Sequence, residues 1–174
     1  MVDASKVNST SAVLYEGDAY RHLAPRYDPL SGEGARIHGG RFNPPESFPT
    51  LYLCSSRECA VAELRRLGQR QVFGIQGLMP RRLFRYELRL QRVLDLCDAG
   101  VLERLGIAGQ ELVGEDRSLT RALGEAAYAA SFQAVRSPSA TGVGQILAVF
   151  PELLGAGELE AQLVGEWADV RDVG

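Results

Sequence analysis

The segment from Ser31 to Asn43 contains the residues that are best suited to binding an anion. It has four glycines and two arginines, and Gly39 and Gly40 directly precede Arg41. Glycine has no Cβ, so the backbone can approach a ligand closely there. A guanidinium group beside such a backbone can bind a phosphate in a bidentate manner. The segment therefore predicts a phosphate-binding loop, with a glycine-rich surface turn as the alternative.

A carboxylate is the second candidate for chemistry. Glu63 falls in a predicted helix, on the face that also contains Cys59, Ala60, Leu64 and Leu67, whereas Arg65 and Arg66 are expected on other faces. A buried carboxylate is costly unless it is paired or has a chemical task. Glu63 is therefore either a site residue or a glutamate at the rim that pairs with an arginine.

The elements that must position these residues follow from periodicity and from turn residues. Strands are predicted at 20–23, 51–54, 83–90 with a continuation at 93–96, 145–150 and 159–163. Helices are predicted to begin at the capping box of Ser55 and Glu58 and end at Gly68, to follow Asp98, and to run from Ser118 to about Val135.

Two further side chains have two interpretations each. Arg21, on the first predicted strand, either points into a site or is exposed. Ser118 is either only a structural helix cap or a cap whose hydroxyl also meets a ligand, because a helix N-terminus favours a phosphate.

The element order lacks a regular strand-helix repeat, which predicts the α+β class. A chain of 174 residues suits a single domain with one core. We expect residues 1–18 to form an N-terminal arm and residues 19–174 to form the domain.

Composition excludes several classes of function. The formal net charge of −3 argues against direct nucleic-acid binding. Neither a membrane helix nor a signal peptide is apparent, so we expect a cytoplasmic protein. Three cysteines without C-x-x-C spacing and two separated histidines predict no metal site.

The motifs occur in a particular order along the chain. Tyr20-Arg21 is followed by Gly39-Gly40-Arg41-Phe42-Asn43, then by Leu51-Tyr52-Leu53, by Glu63, and later by Thr120–Gly124 and Ser137–Ala140. This order resembles the RES-domain family, the toxin components of RES-Xre toxin-antitoxin pairs. The resemblance extends from Tyr20 to about Phe150.

The resemblance implies an architecture and an activity. It implies an ADP-ribosyltransferase-like fold with a central split β-sheet and flanking helices. It also implies a toxin that cleaves the nicotinamide-ribose bond of NAD, by transfer to water or to inorganic phosphate. NAD is then a substrate and no cofactor is implied. An Xre-like antitoxin is the implied protein partner.

Site residues are implied in the same way. Arg21 and Arg41, with Gly40, would bind phosphates, Tyr52 would stack on nicotinamide, and Glu63 would contact the ribose and face the developing positive charge. Ser118 and Ser139 each match the family's serine, so both are candidates for contact with the ligand. His22 stands where some members have a tyrosine, and the resemblance implies that it also contacts NAD.

Two other functions use the same residues. An ADP-ribosyltransferase would transfer the ADP-ribose to a protein, and its NAD site would look identical. A binding module would use the arginine loop without turnover, although it would have no need for the carboxylate.

Overall fold

Six strands form one sheet that closes on itself. The computed structural model describes residues 1–174. Its strands are β1 (Val13–Leu23), β2 (Leu51–Cys54), β3 (Arg81–Asp95), β4 (Ala134–Pro138), β5 (Gln145–Val149) and β6 (Leu159–Trp167). Their order is β1-β2-β5-β4-β3-β6, and β1 also pairs with β3. Strands β1, β2, β5, β4 and β3 thus form a closed ring of paired strands. Strand β6 pairs with β3 and is not part of that ring.

Five helices surround this sheet. They are α1 (Ala4–Ser9), α2 (Glu33–His38), α3 (Arg57–Gly68), α4 (Ala99–Leu105) and α5 (Ser118–Ala129). Short 3-10 turns occupy Gly74–Leu78, Gly109–Leu112, Pro151–Leu153 and Val170–Val173. The predicted α+β class with a single domain is confirmed. None of the helices has the length and apolar content that crossing a membrane requires.

Helix α3 begins one residue later than its predicted start. Ser56, and not Ser55, is the N-cap, and its Oγ accepts a hydrogen bond of 3.1 Å from the backbone N–H of Cys59. The Ser55 hydroxyl instead accepts from the N–H of Gln145, at 2.9 Å, and so joins α3 to β5. The predicted end at Gly68 is confirmed.

Helix α5 is shorter than predicted, and its N-cap differs. It ends at Ala129 because Ser131 has a positive φ of 61° and Ala134–Pro138 forms β4. Arg117 is the N-cap residue, without a side-chain capping bond, so the capping role predicted for Ser118 is wrong.

Three apolar clusters form the core. One lies under α5 and includes Phe42, Leu123 and Phe150. The second consists of residues from β1 to β5 and fills the closed sheet. The third joins α3 to Trp167 near the C-terminus. Helix α2 occupies part of the glycine-rich segment, so its loop is residues 39–43, here called the glycine loop. The first cluster fixes this loop through Phe42, and the third fixes α3, both next to the end of β2.

The N-terminal segment contributes to this core. Helix α1 buries Val7 completely in the first cluster, and the predicted boundary after residue 18 falls within β1.

Candidate active site

A cleft of about 310 Å³ lies between the glycine loop, α3 and the β4–β5 connection. It brings together six of the eight residues proposed from the sequence: Arg21, His22, Gly40, Arg41, Tyr52 and Glu63. Its other lining residues are Cys54, Arg66, Leu67, Arg117, Pro138, Ala140 and Ile146. A larger open groove of about 840 Å³ follows the outer side of α3, but it contains neither the loop nor Glu63.

The glycine loop is packed so closely against Tyr52 and α5 that the contacts leave no room for a side chain at Gly40 or at Gly124. A Cβ on Gly40 would lie 2.3 Å from the Tyr52 hydroxyl oxygen. A Cβ on Gly124 of α5 would lie 1.7 Å from the backbone oxygen of Phe42. Arg121 Nε also donates to the Gly40 carbonyl at 3.1 Å. The loop is therefore held between β2 and α5.

Tyr52 connects β2 to this loop. Its hydroxyl accepts a hydrogen bond of 2.8 Å from the Phe42 N–H and donates one of 2.7 Å to Asn43 Oδ1. Burial raises the pKa of Tyr52 above its ordinary value, so the hydroxyl stays protonated. Tyr52 thus fixes the loop with its hydroxyl while its ring lines the cleft.

Arg41 is anchored by backbone carbonyls. Its Nη1 donates to Leu112 O at 3.1 Å and to Gly114 O at 2.8 Å. Burial lowers the pKa of Arg41 from its ordinary value, and the neighbouring Arg117 and Arg66 lower it further. The remaining donors of its guanidinium are available to an anion in the cleft.

Glu63 has a neutral hydrogen-bond partner. Ser139, only 3% exposed, donates its hydroxyl to Glu63 Oε1 at 2.8 Å. Thr141 Oγ1 lies 2.6 Å from the same Ser139 oxygen. Glu63 takes part in none of the ion pairs of the molecule. Neither oxygen of its carboxylate is therefore paired with a cation, and Oε1 is the oxygen that accepts from Ser139.

The strand β1 contributes Arg21 and His22 to the lining of the cleft. Arg21 Nη1 donates to Ser31 O at 3.4 Å, which ties β1 to the start of the glycine segment. His22 Nδ1 accepts from Arg81 Nε at 3.3 Å. Burial, followed by the charges of Arg81 and Arg21, lowers the pKa of His22 to about 3. His22 is therefore neutral at physiological pH.

The two candidate serines are placed differently. Ser139 reaches the site through Glu63, whereas Ser118 is exposed and does not line the cleft. The Ser118 hydroxyl donates to Asp116 Oδ1 at 2.7 Å. A contact between Ser118 and a ligand is still a prediction, but it would need a ligand that extends beyond this cleft.

Sequence reasoning missed two arginines of the cleft. Arg66 was expected on another face, yet it lines the cleft with Glu63, three residues earlier on α3. The i, i+3 spacing was the available signal, since such residues are neighbours on a helix surface. Arg117 had no comparable signal, because the turn before α5 reaches the cleft only through the tertiary fold.

The arrangement combines four guanidinium groups with one unpaired carboxylate. The cations can hold phosphate groups in fixed positions. The carboxylate can stabilise a positive charge that develops nearby. This combination suits cleavage of a glycosidic bond in a phosphate-bearing nucleotide.

Comparison with known proteins agrees with this chemistry. The family model described as the RES domain matches residues 18–169. The chain belongs to the RES-domain family. The family resemblance predicted from the sequence is thus confirmed.

Relatives with a stated activity match most of the chain. It is 31% identical over 157 residues to the NAD(+) phosphorylase MbcT of Mycobacterium bovis and of Mycobacterium tuberculosis, covering 89% of this chain and 84% of the relative. The solved M. tuberculosis MbcT-MbcA toxin-antitoxin complex contains a chain with a TM-score of 0.82 and 30% identity. That match covers 94% of this chain and 89% of the other.

Proposed function

We propose that this RES-domain protein is a toxin that cleaves the nicotinamide-ribose bond of NAD. One observation carries the proposal: Glu63 is a carboxylate without an ion pair in a cleft lined by four arginines. Such a site matches a substrate with a pyrophosphate beside a bond whose cleavage develops positive charge. Relatives named NAD(+) phosphorylase support the choice of NAD.

The reaction needs little acid catalysis from the protein. Nicotinamide leaves from a pyridinium, so it takes the bonding electron pair and departs as a neutral base. The ribose carbon passes through an oxocarbenium-like transition state, as in glycoside cleavage. The site must therefore hold the substrate and stabilise the cation.

Each residue then has a role. Arg21 and Arg41 bind the pyrophosphate, since planar guanidinium groups suit phosphate oxygens. Gly40 and Tyr52 form the wall against which the nicotinamide ring lies, with neutral His22 nearby. Glu63 contacts a ribose hydroxyl and faces the developing charge.

Ser139 orients the carboxylate of Glu63. Its hydroxyl proton points to Oε1, which leaves the second oxygen of Glu63 to the substrate. A neutral donor fixes the side chain and leaves its negative charge in place, whereas an arginine partner would offset that charge.

The proposal extends to the biological setting. The solved complex that this chain resembles is one of a toxin with an antitoxin. We infer that an Xre-like antitoxin neutralises this protein by covering the NAD cleft in the cytoplasm. The finer architecture implied by the family, a split sheet of ADP-ribosyltransferase type that clamps NAD, belongs to the same proposal.

The experiment follows free nicotinamide released from NAD by the purified protein, with and without inorganic phosphate. Glu63→Gln keeps the shape of the side chain and removes its charge, so we expect release to fall about a hundredfold or more. Glu58→Gln is the matched control, because Glu58 is an exposed carboxylate on the same helix. It should retain wild-type release.

The second product identifies the acceptor. Free ADP-ribose indicates water, a phosphorylated ADP-ribose indicates phosphate, and ADP-ribose attached to the protein fraction indicates a transferase. A Glu63→Gln variant as active as wild type would overturn the proposed role of this carboxylate. Wild-type protein that binds NAD without releasing nicotinamide would overturn the enzymatic function.

A further inference from the structure

His22 and Arg81 lie side by side on neighbouring strands. In the pairing of β1 with β3, His22 is opposite Leu83, and Arg81 comes two residues before Leu83. Residues two apart on a strand share a face, so His22 and Arg81 are diagonal neighbours on one face of the sheet. Arg81 is opposite Trp167 of β6, whose ring centroid lies 6.4 Å from that of His22. Strands β3 and β6 thus both contribute to the surroundings of the imidazole.

Arg81 is a partly buried cation without a carboxylate partner. It takes part in none of the ion pairs of the molecule. Its side chain makes one hydrogen bond, in which Nε donates to the uncharged His22 Nδ1 at 3.3 Å. Arg81 does not line the cleft of Glu63 but a separate groove beside Arg26. Contact between Arg81 and a ligand in the cleft therefore runs through His22.

This hydrogen bond determines which nitrogen of the imidazole has the proton. Burial, followed by the charges of Arg81 and Arg21, lowers the pKa of His22 to about 3, so the ring is neutral and has one N–H group. Nδ1 accepts from Arg81 and has no proton, so the N–H group is at Nε2. In this tautomer Nε2 is a hydrogen-bond donor and cannot act as a base.

The Nε2–H group is available to a ligand. It makes no hydrogen bond in the molecule, because Nδ1 is the only ring nitrogen of His22 with a partner. Thr50 Oγ1 is the one buried side-chain nitrogen or oxygen that lacks a partner, so His22 Nε2 is not buried. His22 lines the cleft together with Gly40 and Tyr52. The cleft thus contains an uncharged donor besides its guanidinium groups.

An uncharged donor suits a different part of NAD from the arginines. Guanidinium groups complement the charged oxygens of the pyrophosphate. Another cation beside the pyridinium would be repelled, whereas a neutral N–H group can bind a carbonyl or hydroxyl oxygen there without opposing the developing charge. We propose that His22 Nε2–H donates a hydrogen bond to an uncharged oxygen of the nicotinamide riboside half of NAD, and that Arg81 is the positioning residue that fixes this tautomer. This inference rests on the proposed function.

The first test determines the tautomer without turnover. The chain has two histidines, of which His38 is exposed, so protein with isotope-labelled histidine gives two imidazole patterns in long-range proton–nitrogen correlation spectra. His38→Gln assigns them. Wild-type His22 should show only the Nε2–H tautomer. Arg81→Met removes the donor to Nδ1 and should give a mixture of both tautomers, and Arg81→Lys, which keeps a charged N–H donor, should restore part of the Nε2–H form.

Arg82→Met is the matched control. Arg82 follows Arg81 on β3, so its side chain lies on the opposite face, where it pairs with Glu166 at 3.1 Å. It does not line the cleft. Its substitution should change neither the tautomer of His22 nor the release of nicotinamide. Thermal unfolding of each variant checks that the fold is retained.

Steady-state kinetics measure the contribution of the hydrogen bond to substrate binding. The contact exists in the bound substrate, so its loss should raise the KM for NAD and leave kcat nearly unchanged. His22→Phe keeps a ring without a donor, and this KM should increase about three- to tenfold, as for one hydrogen bond. His22→Gln keeps an N–H donor and should recover part of the loss. Arg81→Met should have a smaller effect than His22→Phe, because its imidazole is still a donor in part of the molecules.

Two ligands distinguish the possible acceptors. Nicotinamide alone offers the carboxamide oxygen, and ADP-ribose alone offers the ribose hydroxyl groups. The Nε2–H resonance of His22 should shift with one of them, and the ligand that shifts it contains the acceptor.

Each contrary outcome has a distinct meaning. A wild-type His22 with its proton on Nδ1 would overturn the inference whether or not the protein degrades NAD. A His22→Phe variant with the wild-type KM would overturn the role as a donor, since a ring would then suffice. A resonance that shifts with neither ligand would overturn the contact. If wild type released no nicotinamide, the proposed function would fail, and the spectra alone would decide whether Arg81 fixes the tautomer.

Discussion

The glycine loop and the pair of Glu63 with Ser139, here called the Glu63 corner, belong to the same site, but they are held in opposite ways. In the loop, Gly40 lies against Tyr52, and the backbone of Phe42 is bonded to Tyr52 and packed on Gly124. At the corner, the carboxylate of Glu63 has only the hydroxyl of Ser139 as a partner. The loop backbone is hydrogen-bonded to Tyr52 and Arg121, whereas the carboxylate at the corner has no cation as a partner.

This difference indicates that the loop positions the substrate and that the Glu63 corner takes part in the reaction. Satisfied polar groups and close packing fix the loop before any ligand arrives, so that Arg41 needs little reorganisation on binding. An unpaired carboxylate in a partly buried site is unfavourable for stability, and its retention suits a group that interacts with a transition state. Substitutions in the loop should therefore affect folding and activity together, whereas substitutions at the corner should affect mainly activity.

Gly124→Ala should have the largest effect on stability. Its Cβ would lie 1.7 Å from the backbone oxygen of Phe42, which no side-chain rotation can relieve. We expect the free energy of unfolding to fall by about 3 kcal/mol or more. Nicotinamide release should be lost as well, because the loop must move away from α5. Denaturant unfolding and the NAD assay together measure this prediction.

Gly34→Ala is the control for the loss of a glycine. Gly34 lies in α2, has no atom within 4 Å of an added Cβ, and has no positive φ. This variant should be as stable as wild type or more stable by up to about 1 kcal/mol. A stable and active Gly124→Ala variant would show that the loop is not fixed by α5, and the contrast between the two regions would not hold.

Tyr52→Phe should have an intermediate effect and separates two roles of this residue. Removing the hydroxyl leaves the Phe42 N–H and Asn43 Oδ1 without their partner, so stability should fall by about 1–2 kcal/mol. Activity should fall too, since the loop that includes Arg41 loses its tie to β2. Urea unfolding and steady-state rates provide the two measurements.

A phenylalanine keeps the ring, so unchanged activity in Tyr52→Phe would reduce the role of Tyr52 to contact with the nicotinamide. Tyr128→Phe is a suitable reference, because the Tyr128 hydroxyl bonds to Glu152 at the surface, at 2.6 Å. It should change stability by no more than about 0.5 kcal/mol.

The sequence indicates much of this site because its signals are local. Gly40 next to Arg41 indicates an anion loop, and Glu63 stands out as a carboxylate on the apolar side of a helix. The strand 51–54 could be predicted with its correct limits, since a short apolar run between turn residues has few alternatives.

The remainder depends on contacts between distant segments. Closure of the sheet requires β1 to pair with β3, whose partners lie far apart in the sequence. Arg117 reaches the cleft only because the turn before α5 packs against Arg41. Ser55 and Ser56 both fit an N-cap, and the choice is made by Gln145, which takes the Ser55 hydroxyl as its acceptor.

Substitutions of Ser139 and Ser118 test the contrast between the loop and the Glu63 corner with the smallest expected effects on stability. Ser139→Ala removes the donor to Glu63 Oε1, so the carboxylate should be less well oriented and kcat should fall about tenfold. Its free energy of unfolding should fall by only about 1 kcal/mol. Ser118→Ala should change neither quantity measurably, because Ser118 is exposed and bonds only to Asp116. If Ser118→Ala lost activity while Ser139→Ala kept it, the ligand would extend to the start of α5, and the corner at Glu63 would not depend on its serine.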